Sequence, residues 1–139
     1  MLWVIDGDTI EVDVDGQRVT IRLIGIDTPE KTGGFRDAEC WGDEATLAME
    51  ALLPEGTAVF LERDVEEVDR FDRHLAYVHR ADDGLFINEA LVADGHAAAK
   101  RYEPNTFHAE LLEAAQRDAR ADDLGLWGTC GGPDQVIDG

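Results

Sequence analysis

Residues 4–26 read VIDGDTIEVDVDGQRVTIRLIGI, a stretch in which β-branched side chains alternate with polar ones. The side chains that share one parity in its first half are Val4, Asp6, Asp8, Ile10, Val12 and Val14. Asp15-Gly16 then supplies a turn before a second run from Val19 to Ile26. Alternating runs separated by an Asp-Gly pair predict a β-hairpin.

Further elements follow outward from this hairpin. Three more strands are predicted, at Ala58 to Val65, His74 to His79 and Leu85 to Ile87. A helix is predicted where Ala45, Ala48, Met49, Leu52 and Leu53 recur with helical spacing before Pro54. A second runs from Asn88 to Asp94 and ends at Gly95, and a third carries the apolar stripe Phe107 to Ala119, with Asn105 or Thr106 as its cap. Five short strands with three helices predict an α+β fold, a small β-barrel with packed helices.

The length of 139 residues fits one domain. We expect it to span residues 1–130, followed by a flexible tail over residues 131–139 that is rich in glycine and poor in apolar side chains. With 44% apolar and 31% charged residues, the sequence is too hydrophobic for a disordered chain and too interrupted for a membrane span. A monomeric soluble domain is expected.

The chain is strongly acidic, with 31 acidic residues against 12 basic ones and a net charge of −19. One interpretation is a well-solvated surface, and the other is adaptation to very high salt, where screening makes such self-repulsion tolerable. We favour a halophilic source. Because binding of nucleic acid normally rests on a basic patch, the charge alone argues against such a ligand. Evidence for a nucleic-acid ligand therefore has to come from local motifs.

Cys40 and Cys130 lack the CxxC spacing of a zinc site, so a disulfide and two free thiols both stay open. No charged and apolar leader precedes Asp6. The localisation is therefore undecided between the cytoplasm and a secreted or surface protein that has lost its leader.

Two sequence patterns resemble metal sites but do not provide the ligands that such sites need. Residues 11–16 resemble the start of a calcium loop, but its twelfth position is Arg22 where a bidentate Glu is needed. His74 and His79 are five residues apart on one predicted strand and so lie on opposite faces. His96 and His108 have no partner at metal-ligand spacing, and all four histidines are interpreted as structural or solvated.

Three segments carry the chemistry: VIDGDTI from Val4, RLIGIDTPE from Arg22 and DRFDRHLAYV from Asp69. The hard oxygen ligands Asp8 and Asp27 suit Ca²⁺ or Mg²⁺. Glu30 can orient or deprotonate a water molecule, while the guanidinium groups of Arg22 and Arg73 match phosphate oxygens. Together these groups are what hydrolysis of a phosphodiester requires.

At these residues the sequence resembles the staphylococcal nuclease, or thermonuclease, family. The resemblance runs from about Val4 to Trp127 and includes IDGDT, RLIGIDTPE, GDEA, DRHLAYV, INEALV and LGLW in the same order. It implies a five-stranded oligonucleotide-binding barrel with three helices. It also implies Ca²⁺-dependent cleavage of single-stranded DNA and RNA that leaves 3′-phosphate ends.

The resemblance assigns roles residue by residue. Asp8 and Asp27 correspond to the metal carboxylates, the carbonyl of Thr28 to a further metal ligand, and Asp6 to a carboxylate near the metal. Glu30 corresponds to the general base, and Arg22 and Arg73 to the phosphate-binding arginines. The residues that correspond to the nucleotide-binding region are Arg70, Phe71, Lys100 and Tyr102. Cysteine pairs similar to Cys40 and Cys130 occur in some relatives, so the resemblance leaves a disulfide between them possible.

A non-catalytic module that binds nucleic acid or protein is the alternative, since domains of this family also serve in that way. Such modules lack several of the five catalytic and metal-binding positions, whereas this chain keeps Asp8, Arg22, Asp27, Glu30 and Arg73. The sequence therefore favours the nuclease.

Overall fold

The computed structural model describes residues 1–34 and 36–137. Its strands are β1 Trp3–Asp6, β2 Thr9–Val14, β3 Gln17–Leu23, β4 Ile26–Asp27, β5 Val59–Glu62, β6 His74–Arg80 and β7 Ala98–Ala99. Its helices are α1 Gly42–Leu52, α2 Ile87–Ala93, α3 Ala109–Ala121 and α4 Leu126–Cys130. The expected α+β class is confirmed, with a five-stranded mixed sheet and helices packed against it, as in the expected fold.

The five-stranded sheet has the order β1-β2-β3-β6-β5. β2 and β3 form the expected hairpin around Asp15 and Gly16, both of which have positive φ, as a tight hairpin turn requires. β3 pairs with β6 in parallel, and the other neighbours are antiparallel. β4 and β7 form a separate two-stranded ladder that continues from the end of β3.

The prediction that residues 4–14 form one continuous strand is wrong. Residues 4–14 divide at Gly7 and Asp8 into β1 and β2, which pair with each other. The Asp6 side chain accepts a hydrogen bond from the Asp8 N–H (3.1 Å), so the local turn chemistry of Asp and Gly overrides the alternating pattern. Asp6 and Asp8 therefore flank a turn, where the sequence had suggested one strand face.

Two other boundaries also differ from expectation. Leu85 to Ile87 is no strand, because Phe86 forms only an isolated bridge with His79 and its carbonyl already accepts the Ala90 N–H of helix α2. Helix α3 begins only at Ala109. Asn105, expected as its cap, is buried and forms two hydrogen bonds with the backbone of Glu66 instead.

The core lies between the inner face of the sheet and helices α1, α2 and α3. Its largest fully buried apolar side chains include Ile10, Ile21, Leu23, Ile26, Met49, Leu53, Ile87, Leu91 and Leu112. Full burial of one such side chain stabilises the fold by about 1.5–3 kcal/mol. In the described part of the chain, no helix has the length and apolar character needed to traverse a lipid bilayer.

The carboxyl-terminal residues contact the loop that follows Glu30. A disulfide joins Cys40 to Cys130, and Val136 forms an antiparallel bridge with Glu39. The mobility expected for residues 131–139 stays a prediction, and Asp138 and Gly139 lie outside the described residues.

Candidate active site

Asp8 is held at the turn between β1 and β2 by groups on both sides. Its Oδ1 accepts the Thr9 hydroxyl (3.0 Å) and its Oδ2 accepts the Thr28 N–H (3.1 Å). A Cβ on Gly7 would lie only 2.7 Å from the Thr28 hydroxyl oxygen, so this close approach of the two segments needs glycine. The turn thereby fixes Asp8 against the chain that leaves β4.

Arg22 joins the two carboxylates predicted as metal ligands. Its Nη2 lies 3.3 Å from Asp8 Oδ2 and 3.7 Å from Asp27 Oδ1, while its Nη1 donates to the Leu23 carbonyl (2.6 Å). Arg22 is on β3 opposite Thr9 of β2, Asp8 lies in the turn just before Thr9, and Asp27 ends β4, the short strand that follows β3. The structure therefore brings Asp8, Arg22 and Asp27 together.

Acidic groups are crowded at this point, and their pKa values reflect it. Burial and the neighbouring Asp8 charge raise the pKa of Asp6 to about 7, and the same two causes raise the pKa of Asp27 and of Glu30. Burial also disfavours the charged form of Asp8, but the Arg22 charge and several hydrogen bonds outweigh it and lower the pKa of Asp8. The negative charge of Asp8 thus disfavours ionisation of the three carboxyl groups around it.

A cavity of about 660 Å³ opens over this cluster. The residues that line it are Ile5, Asp6, Asp8, Arg22, Asp27, Glu30, Lys31, Gly33, Gly34, Arg36, Arg73 and Lys100. Glu30 reaches it from the loop that follows Pro29. All three residues expected to be catalytic, Arg22, Glu30 and Arg73, therefore face one cavity.

A turn just before β6 orients the side chain of Arg73. Asp69 accepts the Arg73 backbone N–H at Oδ1 (2.9 Å) and its side-chain Nε at Oδ2 (2.8 Å). Within the described part of the chain, the two terminal nitrogens of Arg73 make no hydrogen bond. They are free to bind an anion in the cavity.

The predicted nucleotide-binding residues divide into two groups. Lys100 and Tyr102 line a smaller cavity of about 160 Å³, which shares Arg22 and Arg73 with the large one. Arg70 and Phe71 line neither cavity. The exposed Phe71 ring instead packs against the guanidinium groups of Arg70 (4.9 Å) and Arg73 (5.4 Å).

Lys31 and Arg36 also line the large cavity, and neither was expected there. They follow Pro29 in a segment with two consecutive glycines and no periodic pattern, so the side on which each residue lies could not be predicted.

The oxygen donors at the site fit a hard divalent cation. Among the described residues, no three His, Cys, Asp or Glu side chains are grouped so as to hold a metal ion by themselves. Asp8 and Asp27, however, converge on a single Arg22 nitrogen, and the carbonyl of Thr28 follows directly in the chain. Two carboxylates, a carbonyl and water are ligands that Ca²⁺ accepts, and neither sulfur nor imidazole accompanies them.

Comparison with known proteins places the chain in a family. The family model described as staphylococcal nuclease homologue matches residues 20–129. The chain is similar to the thermonuclease of Staphylococcus hyicus, with 40% identity over 127 residues that cover 91% of this chain and 73% of that protein. It is equally similar to the thermonuclease of Staphylococcus intermedius, with 40% identity over 89% of this chain and 72% of that protein.

A more distant relative is endonuclease YncB of Bacillus subtilis, with 32% identity over 91% of this chain and 60% of that protein. These similarities, together with the matching family model, show that the chain belongs to the staphylococcal nuclease family.

Proposed function

We propose that the protein is a Ca²⁺-dependent nuclease that hydrolyses phosphodiester bonds of DNA and RNA, prefers single strands and leaves 3′-phosphate ends. The relatives named thermonuclease and endonuclease support the nuclease class. The observation that carries the proposal is the convergence of Arg22, Glu30 and Arg73 with Asp8 and Asp27 on one cavity.

In this proposal Glu30 is the general base. Burial and the Asp8 charge raise its pKa, which strengthens the carboxylate as a proton acceptor. Glu30 takes one proton from a water molecule as the water oxygen forms a bond to phosphorus. The bond from phosphorus to the 5′ oxygen breaks, and that oxygen takes up a proton from solvent.

Arg22 and Arg73 bind the non-bridging oxygens and stabilise the charge that develops on them. Asp69 leaves the terminal nitrogens of Arg73 free for this purpose, and Arg22 lies between Asp8 and Asp27 at the floor of the cavity. Asp8, Asp27 and the Thr28 carbonyl would hold Ca²⁺. The bound ion would supply positive charge that offsets the phosphate and the crowded carboxylates.

Arg70, Phe71, Lys100 and Tyr102 are proposed to bind the nucleotide beside the scissile bond. Lys100 supplies a cation at the boundary between the two cavities, and Tyr102 and Phe71 offer aromatic faces for bases. The protein is proposed to act as a monomer.

The test is release of acid-soluble nucleotides from denatured DNA and from RNA, with chelator and after Ca²⁺ is restored. We expect chelator to abolish cleavage and Glu30→Gln or Arg73→Ala to lower the rate by roughly 10² to 10⁴. Glu110→Gln and Arg117→Ala, exposed changes of matched charge on α3, should leave the rate unchanged. Wild-type rates in both site variants would refute the mechanism, and nucleic-acid binding without cleavage would indicate the binding module.

A further inference from the structure

Glu39 closes the base of the loop that carries Glu30, and Asp43 holds Thr32 further along the loop through the Thr32 N–H (2.9 Å) and hydroxyl (2.8 Å). The Glu30 N–H donates to the Glu39 carboxylate at Oε1 (2.9 Å), and the Glu39 N–H donates to the Glu30 carbonyl (2.9 Å). Gly42 packs so closely that a Cβ there would lie 1.8 Å from the Glu30 carbonyl oxygen. The backbone of Glu30 is therefore fixed from both sides.

Glu39 is itself held by the end of the chain. We use the term C-terminal strap for residues 130–137. The Cys40 N–H donates to the Gln135 carbonyl of the strap (2.7 Å), and the Ile137 N–H of the strap donates to the Ala38 carbonyl (2.9 Å). The disulfide between Cys40 and Cys130, with Cα atoms 5.9 Å apart, links the two segments covalently beside these bonds.

None of these strap residues lines either cavity at the active site. Their hydrogen bonds, the bridge and the disulfide reach the chemistry through the backbone of Glu30. Between Glu30 and Glu39 the chain contains Gly33 and Gly34, which restrain the backbone little. Without the contacts at its base, the loop would allow Glu30 to occupy many positions.

We propose that Glu39 and the C-terminal strap are positioning elements for Glu30, and this inference rests on the proposed function above. Proton transfer depends on placement of the acceptor, and a misplacement of about 1 Å can cost roughly 10²-fold in rate. Glu39 acts through the Glu30 peptide, and the strap acts through residues 38–40.

The test combines two substitutions of Glu39 with a control. We expect Glu39→Ala to lower kcat by about 10- to 100-fold with KM changed less than about threefold, because substrate-binding groups are untouched. Glu39→Gln keeps an oxygen that can accept the Glu30 N–H and should retain most of the activity. Glu44→Ala removes an exposed carboxylate from the same region and should change neither constant.

A double-mutant cycle separates positioning from general stability. In a Glu30→Gln background, Glu39→Ala should have little further effect on kcat, because the base whose position it controls is already gone. A loss of equal size in both backgrounds would overturn the inference. The paired change of Cys40 and Cys130 to serine should show the same dependence on Glu30, and a kcat unaltered by the pair would remove the strap from the proposal.

Hydrogen exchange at the Glu30 amide gives a readout independent of activity. Exchange should be faster in the paired serine variant than in the wild type, and equal rates would contradict a role for the strap. If the wild type shows no cleavage, or Glu30→Gln keeps the wild-type rate, it is the proposed function that fails. If both behave as expected and the cycle is additive, only the positioning role fails.

Discussion

At the scale of single residues, the direction of Arg73 depends on one carboxylate. Asp69 accepts hydrogen bonds from the backbone N–H groups of Phe71 and Arg73 and from the Arg73 side chain, and it is well buried as it does so. A buried acceptor with three donors fixes the turn as well as the guanidinium group.

We expect Asp69→Ala to lower kcat/KM by about 10-fold or more, because Arg73 is then free to leave the cavity. The change also leaves two backbone donors of the turn without an acceptor, so the free energy of unfolding should fall by about 1–3 kcal/mol. Steady-state kinetics on a short oligonucleotide and urea unfolding measure the two effects.

Asp82→Ala is the matched control, since Asp82 is exposed and lies in a turn away from the cavity. If Asp69→Ala loses stability but keeps kcat/KM, then Asp69 serves only the turn and Arg73 needs no help to face the phosphate.

Individual site residues could be predicted where their chemistry is unusual for their element. Asp8 within a strand pattern and Arg22 at the start of an apolar run are such positions, and the structure joins them by an ion pair. Lys31 and Arg36 could not be predicted, because a loop without periodicity does not specify which side chains face inward. The contact of His79 and His108 with one carboxylate was also missed, since it joins residues far apart in the chain.

At the scale of elements, helix α2 is tied to the sheet by one buried amide. The Asn88 Oδ1 accepts the Val78 N–H of β6 (2.9 Å), and its Nδ2 donates to the Ile24 carbonyl (2.8 Å) that follows β3. Asn88 has no exposed surface, so neither backbone group has access to water. This side chain holds together the parallel strands on which Arg22 and Arg73 depend.

We expect Asn88→Ala to lower the free energy of unfolding by about 2–5 kcal/mol, since it leaves a buried donor and a buried acceptor unpaired and creates a small cavity. Thermal and urea unfolding measure the loss. The neighbouring Glu89→Ala, which changes the same helix without touching these bonds, should cost much less. Equal losses in the two variants would show that helix propensity, and not the amide, decides the effect.

A second junction joins β5, β6 and the residue before α3. The Glu62 carboxylate accepts from His79 (2.9 Å) and from His108 (3.1 Å), and the Asp64 carboxylate accepts the Tyr77 hydroxyl (2.8 Å). Burial alone would raise the pKa of Glu62 and of Asp64, but these hydrogen bonds outweigh it and lower both pKa values. The charged forms are therefore favoured by folding.

A lowered pKa in the folded state stabilises the protein above the unfolded pKa, here 4.5 for Glu62, and this contribution is lost as pH falls through the folded pKa. The raised pKa values of Asp6, Asp27 and Glu30 act in the opposite direction, because protonation favours the fold there. We therefore expect the difference in unfolding free energy between wild type and Glu62→Gln to shrink below pH 4.5. Urea unfolding from pH 3 to pH 7 measures it, and Glu55→Gln is the exposed control; a difference independent of pH would contradict this role of Glu62.

Most strands were predictable in position, but their number and limits depended on local turns, since the described residues form seven strands where five were expected. Gly7 and Asp8 form a turn within a run that the pattern predicted as one strand, so β1 and β2 could not be told apart by pattern. Leu85 to Ile87 has strand-forming side chains, yet the hydrogen bonds of α2 begin at Phe86 and take precedence. Element type followed hydrophobic spacing, whereas element ends followed individual hydrogen bonds.

At the scale of the whole molecule, the distribution of charge explains how a strongly acidic protein can bind a nucleic acid, which is itself a polyanion. The net charge is −19, yet five of the twelve basic residues line the large cavity, namely Arg22, Lys31, Arg36, Arg73 and Lys100. Arg101, the next residue after Lys100, does not line this cavity and is paired with Glu113 (2.8 Å). A local cluster of cations in an acidic protein can bind a polyanion while the remaining surface repels it.

Salt should therefore act on stability and on binding in opposite directions. We expect the free energy of unfolding to rise between 0.1 and about 2 M NaCl, because screening relieves the repulsion among surplus carboxylates. Over the same range the affinity for a single-stranded oligonucleotide should fall, since phosphate contacts are screened.

Arg36→Gln should reduce the slope of log affinity against log salt by about 0.7 if Arg36 contacts one phosphate. Fluorescence anisotropy at fixed free Ca²⁺ measures that slope. The control is Arg117→Gln, which removes an exposed cation from α3. An unchanged slope in Arg36→Gln would mean that the cavity binds nucleic acid through Arg22, Arg73 and Lys100 without the loop.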